Sequence, residues 1–151
     1  GFRLSGEAEL GGKLATGVVP VPAEMDKDAL AYLRGLYDCE ISNVDRAFGE
    51  ILAKFELEEW LDTSIIILTS DHGEEFLDHG MLRHGYQLFD ETIHVPLLIR
   101  TPNLIKESNR KQPPHSFRDI VELVDIVPTV LSLLVPPSPP VDLDGDILPG
   151  F

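Results

Sequence analysis

One apolar stripe constrains this chain more than any other feature. Leu30, Leu33, Tyr37, Ile41, Val44, Phe48, Ile51 and Phe55 recur at steps of three and four, the spacing that keeps side chains on one face of an α-helix. Asp26 or Asp28 is expected to cap its start, where acidic residues also suit the positive end of the helix dipole. Gly35 and Gly49 each cost about 1 kcal/mol relative to alanine inside a helix and leave room for a bend or close packing.

Two short apolar runs follow. Ser64-Ile65-Ile66-Ile67-Leu68-Thr69-Ser70 is β-branched and continuously apolar, as expected of a strand buried on both faces of a parallel sheet. His94-Val95-Pro96-Leu97-Leu98-Ile99-Arg100 is a second strand, with Pro96 near its start, where a missing N–H is tolerated. A further helix is expected from about Asp125, with Pro128 in its first turn and Leu131, Leu133 and Leu134 inside. Helix, strand, polar loop, strand, helix is the order of an α/β fold with a mostly parallel sheet flanked by helices. The 151 residues suit one domain, 1–151. Residues 1–25 read as a loop-rich lead-in with Gly1, Gly6, Gly11, Gly12, Gly17, Pro20 and Pro22, and 135–151 as an irregular, proline-rich tail.

Twelve Lys and Arg against twenty-six Asp and Glu give a net charge of −14, which disfavours nucleic-acid and anionic-membrane partners. No apolar run approaches the roughly 18 residues that a spanning helix needs. The one cysteine, Cys39, excludes an internal disulfide framework and is expected to be a packed thiol. Asp142-Leu143-Asp144-Gly145-Asp146 fails the EF-hand pattern, because its glycine comes too early and no bidentate glutamate follows, so a turn is expected.

The chemistry concentrates between the two strands. Asp71-His72-Gly73-Glu74 sits at the carboxyl end of the first strand, where α/β sheets bind ligands. A hard carboxylate and an imidazole side by side suit a divalent cation, although a strand-end turn with a capping Asp and a solvated His fits those four residues equally well. His79-Gly80 and His84-Gly85 lie in the same loop, so three of the five histidines fall within thirteen residues. That density favours a site over a solvated face.

Thr69-Ser70-Asp71-His72-Gly73-Glu74, His79-Gly80, His84-Gly85 and Leu88-Phe89-Asp90-Glu91-Thr92-Ile93-His94-Val95-Pro96-Leu97-Leu98-Ile99 together resemble the second half of the catalytic domain of sulfatases, within the alkaline phosphatase superfamily. Tyr37-Asp38-Cys39-Glu40-Ile41 through Asp45 and Asp62-Thr63-Ser64-Ile65-Ile66-Ile67 are similar to the helix and strand that lead into that loop. Val124-Asp125-Ile126-Val127-Pro128-Thr129-Val130-Leu131 and Leu143-Asp144-Gly145 resemble the family's later helix and the loop beyond it. The resemblance covers roughly residues 28 to 148. It implies a partial alkaline-phosphatase-like domain and, in a full-length parent, hydrolysis of a sulfate ester at a divalent metal, usually calcium. Asp71 and His72 match the family's later pair of metal ligands, and the imidazole widens the metals to manganese or zinc. His84 falls where many members carry a lysine that contacts the sulfate or leaving group. The resemblance thus implies a sulfate contact, a general acid or a second-metal ligand. His79 is expected to support these ligands, and Glu74 and Glu75 to be polar supports or solvated. Arg83 and His84 are the nearest cations for an anionic ester.

The departures are large. The family's first pair of metal-binding aspartates and its CxPSR or CxASR sequence, which supplies the formylglycine nucleophile, do not occur in these residues. Cys39 stands in Tyr-Asp-Cys-Glu-Ile with no Pro or Arg at the required offsets. The chain therefore reads as a sulfatase fragment, inactive alone, with formylglycine expected in a missing amino-terminal half; the absent initiator Met agrees. A phosphodiesterase or phosphonate hydrolase of the same superfamily and a non-catalytic metal-binding module are the rival readings. Members of the family are often exported.

Overall fold

The computed structural model describes residues 25–85, 87–102, 116, 118–134 and 142–151. The lead-in expected at 1–25 therefore lies outside the described residues except for Met25, as does the first part of the tail. The stripe becomes helix α1, Lys27–Leu57, of thirty-one residues. Asp26 caps it, its Oδ1 accepting the Asp28 amide at 3.2 Å. Strand β1 is Ile66–Thr69, β2 is Glu75–Phe76 and β3 is Leu82–Arg83. One turn of helix, α2, follows at Asp90–Ile93, then β4 at Leu97–Arg100, a 3-10 turn at Leu123–Asp125 and α3 at Ile126–Leu134. No helix among the described residues is long and apolar enough to cross a membrane.

The described residues divide into two compact units, each drawn from separated stretches. One holds 25–54 and 72–97, the other 55–71 and 98–151. In the first, Arg34 of α1 donates from Nη2 to the Phe76 carbonyl at 3.2 Å and to Asp78 Oδ1 at 2.9 Å. Tyr37 meets Phe76 edge-on, with ring centroids 5.3 Å apart. The β2–β3 hairpin is thereby pinned to the helix.

In the second unit, Arg100 donates to the Leu61 carbonyl, tying β4 to the turn that leads into β1. Asp125 receives backbone N–H groups on both carboxylate oxygens, from Glu122 on Oδ2 and from Asp146 on Oδ1, each at 2.9 Å. Thr129 Oγ1 donates to the Asp125 carbonyl at 2.7 Å and accepts the buried Leu148 amide at 2.9 Å. Gly145 passes so close that a Cβ there would lie 2.4 Å from the Val124 carbonyl oxygen. The expected turn at Asp142–Asp146 is therefore a bend held against the start of α3, and 142–151 carries no helix or strand.

Three expectations need correction. Helices and strands are both present, as in an α/β chain, but no mostly parallel sheet stands among the described residues. β1 pairs with β4 alone, and β2 with β3 as an antiparallel hairpin, Glu75 opposite Arg83. Accordingly β1 is half-buried along its length rather than buried on both faces. Cys39 is exposed, not packed, since α1 buries no residue fully. Gly35 and Gly49 face open space, so neither answers to close packing.

Candidate functional site

The histidine-bearing loop is built from the backbone outward. Gly73 donates its N–H to the Thr92 carbonyl at 2.8 Å, and a Cβ at this position would lie 2.1 Å from the Glu91 carbonyl oxygen. Only glycine allows the chain to run so close to α2. Thr92, itself buried, donates its hydroxyl to the carbonyls of Phe89 at 2.8 Å and Gln87 at 3.0 Å. Glu75 is only 2 % exposed; its Oε1 accepts the amides of His79 and Met81, both at 2.9 Å. That carboxylate replaces the cross-strand partners that a five-residue hairpin loop leaves unmade. Arg83, which ends β3, holds a φ of 81°, in the left-handed region that non-glycine residues rarely occupy. His84 follows directly.

The three loop histidines share one arrangement. His72 Nδ1 meets the Gly73 carbonyl at 2.8 Å, His84 Nδ1 meets Glu74 Oε2 at 3.1 Å, and His79 Nδ1 meets Glu91 Oε1 at 2.5 Å. A carbonyl or a carboxylate only accepts, so Nδ1 is the protonated nitrogen in each ring and Nε2 bears the lone pair when the ring is neutral. This is the tautomer that metal-binding and proton-handling histidines commonly need. The His72 and His84 rings stack, with centroids 3.8 Å apart, while His79 stacks on Phe89 at 3.6 Å. Glu74 Oε1 is buried with no hydrogen-bond partner.

The structure thus brings His72 and His84 into contact and sets His79 apart on its own glutamate. Asp71, exposed, follows β1 through Ser70 and closes one unit, while His72 opens the other. Among the described residues, the one group of three side chains whose metal-ligating atoms all lie within 4.8 Å of one another is Glu75, His79 and Glu91. One feature weighs against reading that trio as a metal centre: Glu75 Oε1 already takes two amides. For Asp71 and His72, the donor set of a hard carboxylate and an imidazole oriented through Nδ1 fits a divalent cation. Sequence reading missed Glu91 and gave Glu74 no particular partner. Their separations of twelve and ten residues from His79 and His84 follow from the hairpin and from α2, neither of which has a periodic signal.

The sulfatase family model matches residues 12–135. Arylsulfatase K of Gallus gallus is 34 % identical over 110 residues, which are 73 % of this chain and 19 % of that protein. Arylsulfatase K of Homo sapiens is 29 % identical over 113 residues, 75 % of this chain and 20 % of its own length. A multifunctional alkaline phosphatase superfamily protein, PehA of Trinickia caryophylli, is 32 % identical over 114 residues, 74 % and 21 % respectively. The chain spans about a fifth of the length of the curated relatives it matches. No solved structure matches it. With the family's model covering most of its length, this chain belongs to the sulfatase family.

Proposed function

We propose that these residues form the later part of a sulfatase catalytic domain, whose complete form hydrolyses a sulfate ester with the help of a divalent metal ion. Asp71 and His72 supply two of the metal's ligands, with calcium favoured and manganese or zinc compatible with the imidazole. The metal, when bound, neutralises charge on the ester and on the oxygen that leaves. His84 contacts the sulfate or donates a proton to the leaving oxygen through Nε2, with Nδ1 committed to Glu74. The observation that carries the reading is the stack of His72 on His84, a matched ligand position against a matched substrate position.

A formylglycine nucleophile, in a stretch of the parent outside these residues, completes the site in this reading, so the 151 residues alone do not turn over. The purified chain and its full-length parent should be compared on an aryl sulfate. Turnover by the parent only is the expected result, and turnover by the chain itself would overturn the division of labour. The PehA resemblance supports a second reading, hydrolysis of a phosphodiester or phosphonate ester. The same parent assayed on an aryl phosphodiester separates the two: a strong preference for that substrate replaces the sulfatase reading. Metal binding is tested by calorimetry with calcium and manganese. Asp71→Ala should weaken binding at least tenfold, while Asp142→Ala, which removes an equal charge from the tail, should leave it unchanged. Equal effects would mean that the cations follow the net charge of −14 rather than a site.

A further inference from the structure

Glu74 is held more firmly than a solvated surface carboxylate. Its neighbour Gly73 is locked against α2 by the hydrogen bond to Thr92 and by the close approach to Glu91. Its side chain is mostly buried, and Oε1 is sealed from water with no hydrogen-bond partner. Oε2 meets the Nδ1 of His84 at 3.1 Å. A buried carboxylate with one oxygen unpartnered is costly unless a positive or strongly polar group faces the other, and the imidazole fills that place. His84, its side chain 43 % exposed, is contacted from two sides, by Glu74 and by the ring of His72.

Resting on the reading of His84 given above, we infer that Glu74 is a positioning residue for the reaction. It holds the proton of His84 on Nδ1, so that Nε2 is the nitrogen turned to the ester. The pair works as a carboxylate–imidazole dyad, with the carboxylate never touching substrate. No proton is consumed in the arrangement. When His84 gives the proton on Nε2 to the leaving oxygen, the ring becomes the neutral Nδ1–H form, and water restores Nε2–H in the next cycle.

The test reads the tautomer before any activity. Long-range proton–nitrogen spectra of the imidazoles are recorded at alkaline pH, where an ordinary imidazole is neutral, with His84→Gln used to assign the His84 signals. Wild type should show His84 as the Nδ1–H form. Glu74→Gln, which retains an acceptor oxygen, should keep it, and Glu74→Leu should return the ring to the mixture of forms seen in free imidazole. An Nε2–H form in wild type, or no change in Glu74→Leu, overturns the inference. Circular dichroism of both variants checks that each still folds; should Glu74→Leu unfold, the wild-type tautomer still decides, an Nε2–H form overturning the inference.

Turnover of an aryl sulfate by the full-length parent then separates this inference from the reading beneath it. Glu74→Leu should lower kcat about 10- to 100-fold with little change in KM, the scale of lost support behind a working histidine, and Glu74→Gln should lose less. Unchanged turnover in His84→Ala would remove His84 from the reaction, whatever the tautomer. A large loss in His84→Ala with wild-type kcat in Glu74→Leu would leave His84 in place and dismiss Glu74.

Discussion

A methyl group at position 73 has nowhere to go. It would sit 2.1 Å from the Glu91 carbonyl oxygen, and the obstacle is backbone rather than the end of a flexible side chain. Gly73→Ala should therefore cost about 1–3 kcal/mol of stability, the usual penalty for overpacking, read as a lower urea midpoint with an unchanged slope. An unaltered midpoint would mean that α2 gives way freely. Glu75 makes the complementary case, because its value lies in what it accepts. Glu75→Ala strands the amides of His79 and Met81 in the turn, and leaving a buried donor unpaired costs about 1–3 kcal/mol. A drop of that size in the same denaturation experiment is expected. Wild-type stability would show that water substitutes for the carboxylate.

At the scale of elements, α3 and the tail depend on two side chains. Thr129→Val keeps the shape but removes the oxygen that accepts the Leu148 amide. Hydrogen exchange at that amide should speed up, and unchanged protection would show the contact to be dispensable. Asp125 adds a pH dependence. The Glu122 amide first, and the Asp146 amide second, hold its carboxyl below the usual carboxylate range. A group lowered by folding stabilises the native state above its unfolded value, and that contribution is lost as pH falls through the folded value. Asp125→Asn cannot titrate, so its stability should fall less steeply on the acid side than that of wild type, which denaturant midpoints across the acid range would reveal. These elements also mark how far the sequence could be read. The stripe from Leu30 to Phe55 announced α1, the apolar runs announced β1 and β4, and Pro128 sits in the first turn of α3 as expected. The β2–β3 hairpin and α2 were not legible, since two-residue strands and a single helical turn are too short to show a period. The site divided in the same way: three histidines beside glycines drew attention by composition, whereas the glutamates that orient His79 and His84 are brought in by the hairpin and α2.

Among the described residues much apolar surface is uncovered. On α1, Tyr32, Leu36, Ile41, Val44 and Ile51 are between 46 % and 66 % exposed, more than a scatter of single residues on one element. The chain should bind a hydrophobic dye, and Ile41→Lys with Val44→Lys should reduce that signal without loss of helicity; equal fluorescence would place the dye elsewhere. The division into two units, each stitched from two stretches, bears on how the chain is born. During synthesis from the amino terminus, every described residue of the first unit has emerged once Leu97 is free. The second unit must wait until Leu148 has emerged and its amide can reach Thr129. Domains tend to fold as they are completed on the ribosome. The histidine loop therefore takes shape early, in chains whose α3 still lacks the segment that binds its first turn. Nascent chains arrested shortly after Leu97 leaves the exit tunnel should already protect the Gly73 amide from exchange.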